Sequence, residues 1–552
     1  MAGSTHTVTN QPPPLVGHDV YGGDRALVEA VERHLDPALL DEARAELSAL
    51  GRAAGSAQLH EWAEQADQNP PRLRTHDRYG HRVDEVDFHP AWHRLLGKGV
   101  GAGLTAAWGR PGGHVRRAAA FLVWTQVDAG TCCPLSMTHA AVPALRTDPA
   151  LAAEWEPRLT STLYERELRP ARLKAGALFG MGMTEKQGGS DVRANATVAR
   201  PLAEDGTYEL TGHKWFCSAP MSDGFLVLAR AADAAGAARE DALTCFLVPR
   251  VLEDGTRNPF RIQRLKDKLG NRSNASAEVE FDGTWARRVG EEGRGVRTII
   301  DMVAATRLDC ALGSAGLMRQ AVTQAVHHCV HREAFGGKLV DKPLMRNVLA
   351  DLALEAEAAT TLALRLAAAY DDGGEQERAL LRIAVPAAKY WVTKRCAPVV
   401  VEAAECLGGN GYVEESGLPR LVRESPLNSV WEGAGNVQAL DLLRALRREP
   451  QALNAFLEEV GRARGADHRL DAAIKDLLTD LADLSGVEAR ARRLAERFAL
   501  VLQGSLLVRF APPQVADAFC AARLGGDGGA AFGTLPATLD LAAVVQRARP
   551  LA

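Results

Sequence analysis

The sequence lacks the features that mark several protein classes. Only 9 of its 552 residues are cysteines and none forms a C-x-x-C pair, so neither a disulfide framework nor a zinc ribbon is predicted. Lysine plus arginine (65) nearly balance aspartate plus glutamate (69), which leaves a net charge of -4. That balance excludes a globally basic nucleic-acid coat, although a local basic patch stays open. The chain also has no G-x-S-x-G elbow and no Walker loop, so hydrolase and nucleotidase functions have no support.

Export and membrane signals are missing as well. Residues 1–18 contain no lysine or arginine and no apolar core, which does not fit a secretory signal. The uncharged run Ala129–Leu145 is interrupted by Pro134 and Pro143 and is a poor membrane span. We therefore expect a cytoplasmic protein with reduced thiols and no membrane association.

The periodicity that is present predicts a mainly α-helical protein with a central antiparallel β domain. Residues 24–173 are mainly helical apart from a proline- and charge-rich break at residues 69–90. Residues 197–281 contain short β-like runs separated by Asp-Gly turns, and the chain from residue 295 onward is helical again. The predicted domains are residues 1–180 (an extended arm, 1–23, and a helical domain), 181–290 (the β domain), 291–448 (a helical bundle) and 449–552 (a helical extension).

Two apparent motifs carry little weight. The near-fingerprint Gly97-x-Gly99-x-x-Ala102 follows a helical pattern, whereas a dinucleotide loop needs a strand before it. His327 and His331 share a helix face, but no further ligands accompany them, so we predict a structural role and no metal site.

Three glycine-flanked segments carry the most chemistry. Residues 180–191 combine the hydroxyls of Thr184 and Ser190 with paired glycines that let backbone N–H groups approach an anion. Residues 212–218 place two large aromatics before Ser218, and residues 423–436 place Glu432 beside a tryptophan in a turn. Taken alone, each segment also fits an ordinary structural interpretation: a glycine turn, core aromatics on a strand, and a charge at a helix start.

Together with two further motifs, these segments resemble the acyl-CoA dehydrogenase family of flavoproteins. The motifs occur in the family's order: M-T-E-x-x-x-G-S-D from Met183, G-x-K-x-x-x-S from Gly212, R-x-x-F-G from Arg332, G-G-x-G-Y from Gly408 and W-E-G from Trp431. This family resemblance covers about residues 50–445. Through residues 6–12, 88–93, 183–192, 265–276 and 428–433 the chain more closely resembles the branch of the family that responds to DNA alkylation, and that likeness covers nearly the whole chain. It implies a helical domain, a β-barrel and a four-helix bundle, followed by a C-terminal helical extension.

The resemblance also implies bound FAD and a set of site residues. Arg332 and Phe335 would reach the FAD of a neighbouring subunit, so the resemblance implies a homotetramer. Glu432 would be the catalytic base that removes the substrate α-proton. The implied cofactor-binding residues are Met183, Thr184, Gly189, Ser190, Phe216, Ser218, Arg332, Phe335, Arg423, Asn428, Trp431 and Gly433.

Several positions depart from the family pattern. Phe216 stands where the family usually has a flavin-stacking tryptophan, and Pro343 and Glu405 stand where it has glutamines that contact FAD. Thr306 occupies the alternative base position, which leaves Glu432 as the one candidate base. We therefore expect slow or absent acyl-CoA oxidation, although a working acyl-CoA dehydrogenase remains the alternative function.

The C-terminal extension is the second basis for a functional hypothesis. From Asp441 onward, 15 Lys+Arg face 14 Asp+Glu, and all but one of the basic residues are arginines. Two helix faces carry three arginines each, which indicates binding of double-stranded DNA without sequence specificity; solvated helix faces are the plain alternative. A small alkylating agent or an acyl-CoA is the expected further ligand. The predicted DNA-binding residues are Arg444, Arg447, Arg448, Arg490, Arg493 and Arg497.

Overall fold

The computed structural model describes residues 5–233 and 236–550, which form two compact units. The sheet unit comprises Gln58–Asp309, and the helical unit comprises Met1–Ala57 and Cys310–Ala552. The helices are α1 (Arg25–His34), α2 (Leu40–Ala54), α3 (Ala57–Gln68), α4 (Pro90–Gly101), α5 (Gly113–Thr125), α6 (Ala129–Leu145), α7 (Pro149–Leu159), α8 (Gly295–His331), α9 (Pro343–Asp372), α10 (Glu375–Glu405), α11 (Leu418–Glu424), α12 (Gly435–Arg448), α13 (Pro450–Gly461), α14 (His468–Ala482), α15 (Val487–Phe510), α16 (Pro513–Phe519) and α17 (Leu541–Ala548).

Local signals place many of these helices. In α1 the side chain of Asp24 accepts a hydrogen bond from the backbone N–H of Leu27 at 3.2 Å, which caps the helix start. The predicted face of Leu27, Ala30 and Val31 is buried. Proline occupies the first position of α4, α7 and α9, where its fixed φ and missing N–H are tolerated.

The core of the sheet unit is one seven-stranded sheet. Its strands are β3 (Phe179–Gly182), β4 (Val198–Pro201), β5 (Thr207–Ser218), β6 (Gly224–Ala232), β7 (Ala238–Pro249), β8 (Phe260–Leu265) and β9 (Ser276–Val289), in the order β3-β6-β4-β5-β9-β7, with β8 against β9 and a further β6–β7 pairing.

This sheet corrects two expectations about the β domain. The pairings β3–β6 and β4–β6 are parallel, so the sheet is mixed and not wholly antiparallel. It is also not the barrel that the resemblance implied. Among the described residues β3 pairs only with β6 and β8 only with β9, so edge strands remain where a closed barrel would have none.

The charge-rich break at residues 69–90 contains structure that the sequence did not reveal. Strands β1 (Arg72–His76) and β2 (Arg82–Asp87) form an antiparallel hairpin there, with Leu73 opposite Val86. Every residue of β1 is exposed or half-buried. The hairpin therefore lacks the buried apolar alternation by which strands are recognised.

Arginines of the C-terminal extension are built into the helical unit. Arg523 pairs with Asp351 and Glu355 of α9, and Arg547 of α17 pairs with Glu29 of α1 (2.6 Å) and Glu357 of α9 (2.9 Å). The three carboxylates of α9 that pair with arginines of the extension are buried or half-buried. These pairs therefore join the extension to α9. Part of the arginine enrichment thus serves folding.

The described part of the chain contains no helix long and apolar enough to cross a membrane. The predicted arm is described from residue 5 onward, its first four residues lying outside the described ranges. Residues 5–16 form neither helix nor strand.

Candidate functional site

The first two predicted segments lie side by side in the sheet unit. The backbone N–H of Trp215 on β5 donates to the carbonyl of Thr184 at 2.8 Å, which joins residues 183–190 to that strand. A Cβ at Gly189 would lie 2.8 Å from the Thr184 hydroxyl, so glycine keeps the space beside this hydroxyl open. Neither Thr184 nor Ser190 uses its hydroxyl in a hydrogen bond with another described residue. The segment therefore presents two free hydroxyls beside a glycine pair.

A buried ion pair between Lys214 and Glu185 holds this segment against β5. Lys214 and Glu185 are each 1% exposed, and Lys214 Nζ lies 2.6 Å from Glu185 Oε1. Burial opposes the charged form of Glu185, but the Lys214 ammonium and hydrogen bonds from Ala196 and Thr197 outweigh it and hold the pKa of Glu185 at about 2. Neither residue was predicted to belong to the site, although Glu185 lies in the motif that begins at Met183 and Lys214 in the motif that begins at Gly212.

The aromatic pair on β5 lies against a lysine that directly follows β8. Phe216 is 47% exposed, and Lys266 Nζ lies 3.6 Å from the centre of the Trp215 ring and 4.5 Å from that of Phe216. Lys266 also pairs with Glu278 at 2.7 Å. At the end of the strand the hydroxyls of Ser218 and Ser276 are 3.0 Å apart. Phe216 thus leaves part of its ring open to a flat ligand, as its predicted flavin contact requires.

In the helical unit, Arg332 and Phe335 lie in a short hairpin directly after α8. Its strands are β10 (Glu333–Ala334) and β11 (Gly337–Lys338). Phe335 is 94% exposed and has a left-handed backbone with φ +51°. A large side chain in that conformation is uncommon and marks a position fixed by its surroundings.

The third segment forms a turn held by buried polar side chains. Lys389 of α10 donates to the carbonyls of Trp431 (2.9 Å) and Gly433 (2.6 Å), and Gln438 donates to that of Glu432 at 2.9 Å. Glu432 itself has φ +57°, a strained value for a residue with a side chain. The turn therefore fixes a half-buried carboxylate in one backbone conformation.

The other predicted residues of this segment have protein partners. The Trp431 indole N–H donates to Asn428 Oδ1 at 3.0 Å, and Asn428 donates in turn to the hydroxyl of Ser314 at 3.2 Å. Arg423 forms two hydrogen bonds with Glu414, at 2.6 and 3.1 Å. Asn428 and Trp431 therefore help to build the turn, while Arg423 is held by Glu414.

The two arginine sets differ in their environment. On α12, Arg447 and Arg448 are exposed and make no ion pair or side-chain hydrogen bond within the described ranges, while Arg444 lies 3.3 Å from Asp441. On α15, Arg490 donates to carbonyls at and beyond the end of α14, those of Asp480, Asp483 and Ser485.

The remaining members of the α15 set also point to α14. Arg497 pairs with Asp480, and Arg493 lies 3.9 Å from the same carboxylate. Cations are favourable at a helix C-terminus, so the α15 set stabilises the end of α14. Arg447 and Arg448 of α12 make no such contact within the described ranges and are left available for a ligand.

The sheet unit also contains a cavity of about 770 Å³ that sequence reasoning missed. Phe88 and Trp92, stacked with ring centres 3.8 Å apart, line it together with Tyr164, Arg94 and Met221. None of the predicted site residues lines this cavity. Within the described ranges no group of three or more His, Cys, Asp or Glu residues is arranged to hold a metal ion.

The residues that sequence reasoning missed are mostly buried and charged. Lys214, Glu185 and Lys389 secure the predicted segments, and Asn10 of the arm contacts the hairpin that carries Phe335. Glu185 is a fixed position of the motif M-T-E-x-x-x-G-S-D and Lys214 of the motif G-x-K-x-x-x-S, and these two positions were the available signals. A lysine in a strand or helix is ordinarily solvent-exposed, so the sequence alone gave no reason to place these lysines inside.

Comparison with known proteins identifies the family. The sequence matches the family described as "Adaptive response protein AidB N-terminal domain" over residues 10–166, the acyl-CoA dehydrogenase middle domain over 180–284, and the acyl-CoA dehydrogenase C-terminal domain over 293–447. The chain belongs to the acyl-CoA dehydrogenase family and has its fold, with a helical extension. It is 45% identical over 531 residues to the "Putative acyl-CoA dehydrogenase AidB" of Escherichia coli, covering 95% of each chain.

Solved structures agree with this assignment. The chain resembles Caenorhabditis elegans ACDH-11 in complex with C11-CoA, with a TM-score of 0.86, 29% identity and 94% coverage of both chains. It also resembles the apo form of Bd2924, with a TM-score of 0.82, 29% identity, and coverage of 92% of this chain and all of the other. The FAD complex of a Bacillus anthracis acyl-CoA dehydrogenase shares the fold at 16% identity and a TM-score of 0.68.

Proposed function

We propose that this protein is an FAD-containing, DNA-binding flavoprotein of the response to DNA alkylation, with weak or no acyl-CoA dehydrogenase activity. The observation that carries the flavin assignment is the pair of free hydroxyls, Thr184 and Ser190, beside an open glycine and a part-exposed Phe216. Bound FAD would supply two-electron redox chemistry. The nine free, buried cysteines suit a cytoplasmic location.

The residues present fit such a cofactor. Met183, Thr184, Gly189 and Ser190 would hold its phosphate-bearing part, since hydroxyls and close glycine N–H groups suit a pyrophosphate. Phe216 and Ser218 would contact the ring system. Purified protein should be yellow and should release FAD on heating or acidification; a colourless protein that takes up no added FAD contradicts the proposal.

A paired substitution tests these hydroxyls. Thr184→Val with Ser190→Ala should weaken FAD binding at least tenfold, because each hydroxyl would lose a hydrogen bond to a charged group. Thr479→Val, at an exposed helix position far along the chain, is the matched control. FAD affinity is measured by fluorescence titration of apoprotein, and equal affinities in both variants would remove the hydroxyls from the site.

A working acyl-CoA dehydrogenase is the second candidate function. It is favoured by the rigid turn that fixes Glu432, and by the likeness to an acyl-CoA dehydrogenase relative solved with C11-CoA. Glu432 would take the α-proton of the thioester as general base. The test is turnover of acyl-CoA with an external electron acceptor. Fast turnover that Glu432→Gln lowers by a factor of about 100 or more would make this the main function.

We also propose a homotetramer in which Arg332 and Phe335 contact the FAD of a second copy. Large apolar side chains exposed in the helical unit support an interface, among them Phe335 (94%), Tyr412 (92%) and Leu344 (84%). Light scattering on the FAD-loaded protein measures the assembly. A monomer that retains FAD would contradict the assignment of both hairpin residues.

For DNA we propose that the α12 arginines make the main contacts. Arg447 and Arg448 are exposed and lack carboxylate partners within the described ranges, and arginine pairs phosphate bidentately without reading bases. A tetramer would repeat this small patch and bind by avidity. The α15 arginines would contribute less, because α14 already engages them.

The experiment compares two triple variants of equal charge. Replacement of Arg444, Arg447 and Arg448 by Gln should weaken binding to double-stranded DNA about tenfold or more, and should flatten its salt dependence by roughly 0.9 per lost phosphate contact. The control replaces the exposed sheet-unit arginines Arg78, Arg200 and Arg297 by Gln. Equal DNA affinity in both variants, each with FAD retained, would place the DNA contacts elsewhere.

A further inference from the structure

The hairpin that carries Phe335 is too small to hold itself. Only two residue pairs join β10 to β11, Glu333 with Lys338 and Ala334 with Gly337. The turn between them, Phe335 and Gly336, is left-handed at both residues, with φ of +51° and +76°. Such a turn suits glycine or asparagine, and phenylalanine adds strain. A two-stranded ribbon of this size is marginal in water, so its conformation depends on outside contacts.

The N-terminal arm supplies those contacts through one side chain. The amide of Asn10 donates from Nδ2 to the carbonyl of Glu333 at 2.8 Å and accepts at Oδ1 from the N–H of the same residue at 2.8 Å. One side chain thus satisfies both backbone groups on the outer edge of β10, as a neighbouring strand would. Asn10 itself has φ +56°, a conformation that asparagine tolerates better than most residues.

Further bonds lock the arm and hairpin together. The Arg332 guanidinium donates from Nη1 to the backbone carbonyl of Asn10, and His327 on α8 lies 2.8 Å from the carbonyl of Pro13. On the other side of the hairpin, Lys342 donates to the carbonyl of Phe335 at 2.7 Å. Arg332 retains other N–H donors for an anion, since guanidinium has five.

We infer that Asn10 is a positioning residue for the cofactor of a second copy of this chain: it fixes the hairpin so that Arg332 and Phe335 present a set geometry to that cofactor. This inference rests on the proposed function, in which the two hairpin residues contact the partner's FAD. It adds a residue more than 300 positions away in sequence from those it positions. The arm thereby becomes part of the cofactor site.

Asn10→Gly tests the inference, because glycine keeps the left-handed backbone and the carbonyl that Arg332 uses while removing both amide hydrogen bonds. In the full-length protein, the amide of Glu333 should exchange with solvent faster, and FAD should bind about tenfold more weakly. The assembly state, and the melting temperature of the FAD-free protein, should stay near those of the parent. Val8→Ala, at a position of the same arm that is 68% exposed, is the control and should leave both quantities unchanged.

A double-substitution cycle separates positioning from general loosening. Arg332→Ala alone should weaken FAD binding, and adding Asn10→Gly should then cost less than it does alone, because one of the two positioned side chains is gone and only Phe335 remains. If Arg332→Ala leaves FAD affinity unchanged, the proposed cofactor role of the hairpin fails, and the inference fails with it. If Arg332→Ala weakens binding but Asn10→Gly does not, the inference alone is wrong. Unchanged exchange at Glu333 in Asn10→Gly would also overturn it.

Discussion

Two buried lysines, one in each unit, secure the two kinds of segment proposed to hold the chemistry. Lys214 and Lys389 are both 1% exposed. Lys214 Nζ contacts the Glu185 carboxylate at 2.6 Å and the carbonyl of Leu228 at 2.7 Å. Lys389 Nζ contacts the carbonyls of Trp431 and Gly433. The first lysine is paired with a full charge next to Thr184, and the second draws together the backbone on both sides of Glu432.

The difference shows two ways of fixing a site. The segment at Thr184 is anchored to the folding core through Glu185, because its anchor is a buried ion pair whose separation would leave a buried charge. The turn at Glu432 is a strained loop, with φ +57°, closed by hydrogen bonds to carbonyl groups. Loss of the first anchor should therefore affect the whole sheet unit, and loss of the second should affect mainly the local turn.

Lys214→Met should have the largest effect. Removing one partner of a buried ion pair leaves the Glu185 carboxylate uncompensated, which costs about 3–5 kcal/mol in the free energy of unfolding. Denaturant unfolding of the variant measures this cost. The matched control is Lys475→Met at an exposed helix position, where we expect a change within about 0.5 kcal/mol. Similar stability of the two variants would show that Glu185 and Lys214 are not coupled.

Lys389→Met should cost less, about 1.5–3 kcal/mol, because the hydrogen bonds that it removes join a charged donor to the neutral carbonyls of Trp431 and Gly433. Its second effect is local. Any Glu432-dependent turnover of acyl-CoA should fall, while FAD stays bound to the residues of the sheet unit. A variant with parental turnover would show that the turn keeps its shape through Gln438 alone.

The stabilisation by the Lys214–Glu185 pair should depend on pH. The pKa of Glu185 is held at about 2, below its ordinary value near 4.5, so the pair stabilises the fold above pH 4.5 and loses this contribution as the pH falls toward 2. The stability difference between the parent and Lys214→Met should therefore be largest above pH 5 and shrink below pH 4.5. A difference that stays constant from pH 7 to pH 3 would contradict the assigned pKa.

The smallest expected effect concerns backbone strain at Glu432, and here glycine is expected to stabilise the fold relative to alanine. Glycine adopts a left-handed backbone without steric cost, so Glu432→Gly should be more stable than Glu432→Ala by about 1 kcal/mol. Both variants lack the carboxylate, so the difference between their thermal unfolding measures the free energy of the left-handed backbone alone. Equal stability would mean that position 432 relaxes out of the strained conformation when its side chain is lost.

Local patterns allowed much of the fold to be predicted. The α1 face of Leu27, Ala30 and Val31 is buried, the apolar positions of α15 lie inside, and the alternating run at residues 277–281 is part of β9. The order of the motifs gave the family, and the structure brings residues 184 and 215 into backbone contact. The errors lie where local periodicity is weak: the exposed β1–β2 hairpin and the parallel pairings of β3 and β4 with β6.

The sequence by itself determined where most helices and strands form, which family the chain resembles, and which residues are candidates for FAD and DNA contact. Only the tertiary structure decided which charged residues lie inside. A basic residue is a buried anchor at Lys214, a helix-end contact at Arg490 and an exposed group at Arg447. The reason is physical: hydrophobic periodicity is encoded in neighbouring residues, whereas the partner of a charge comes from any part of the chain. Asn10 and Glu333 are an example, since two hydrogen bonds join them although they lie 323 positions apart in the sequence.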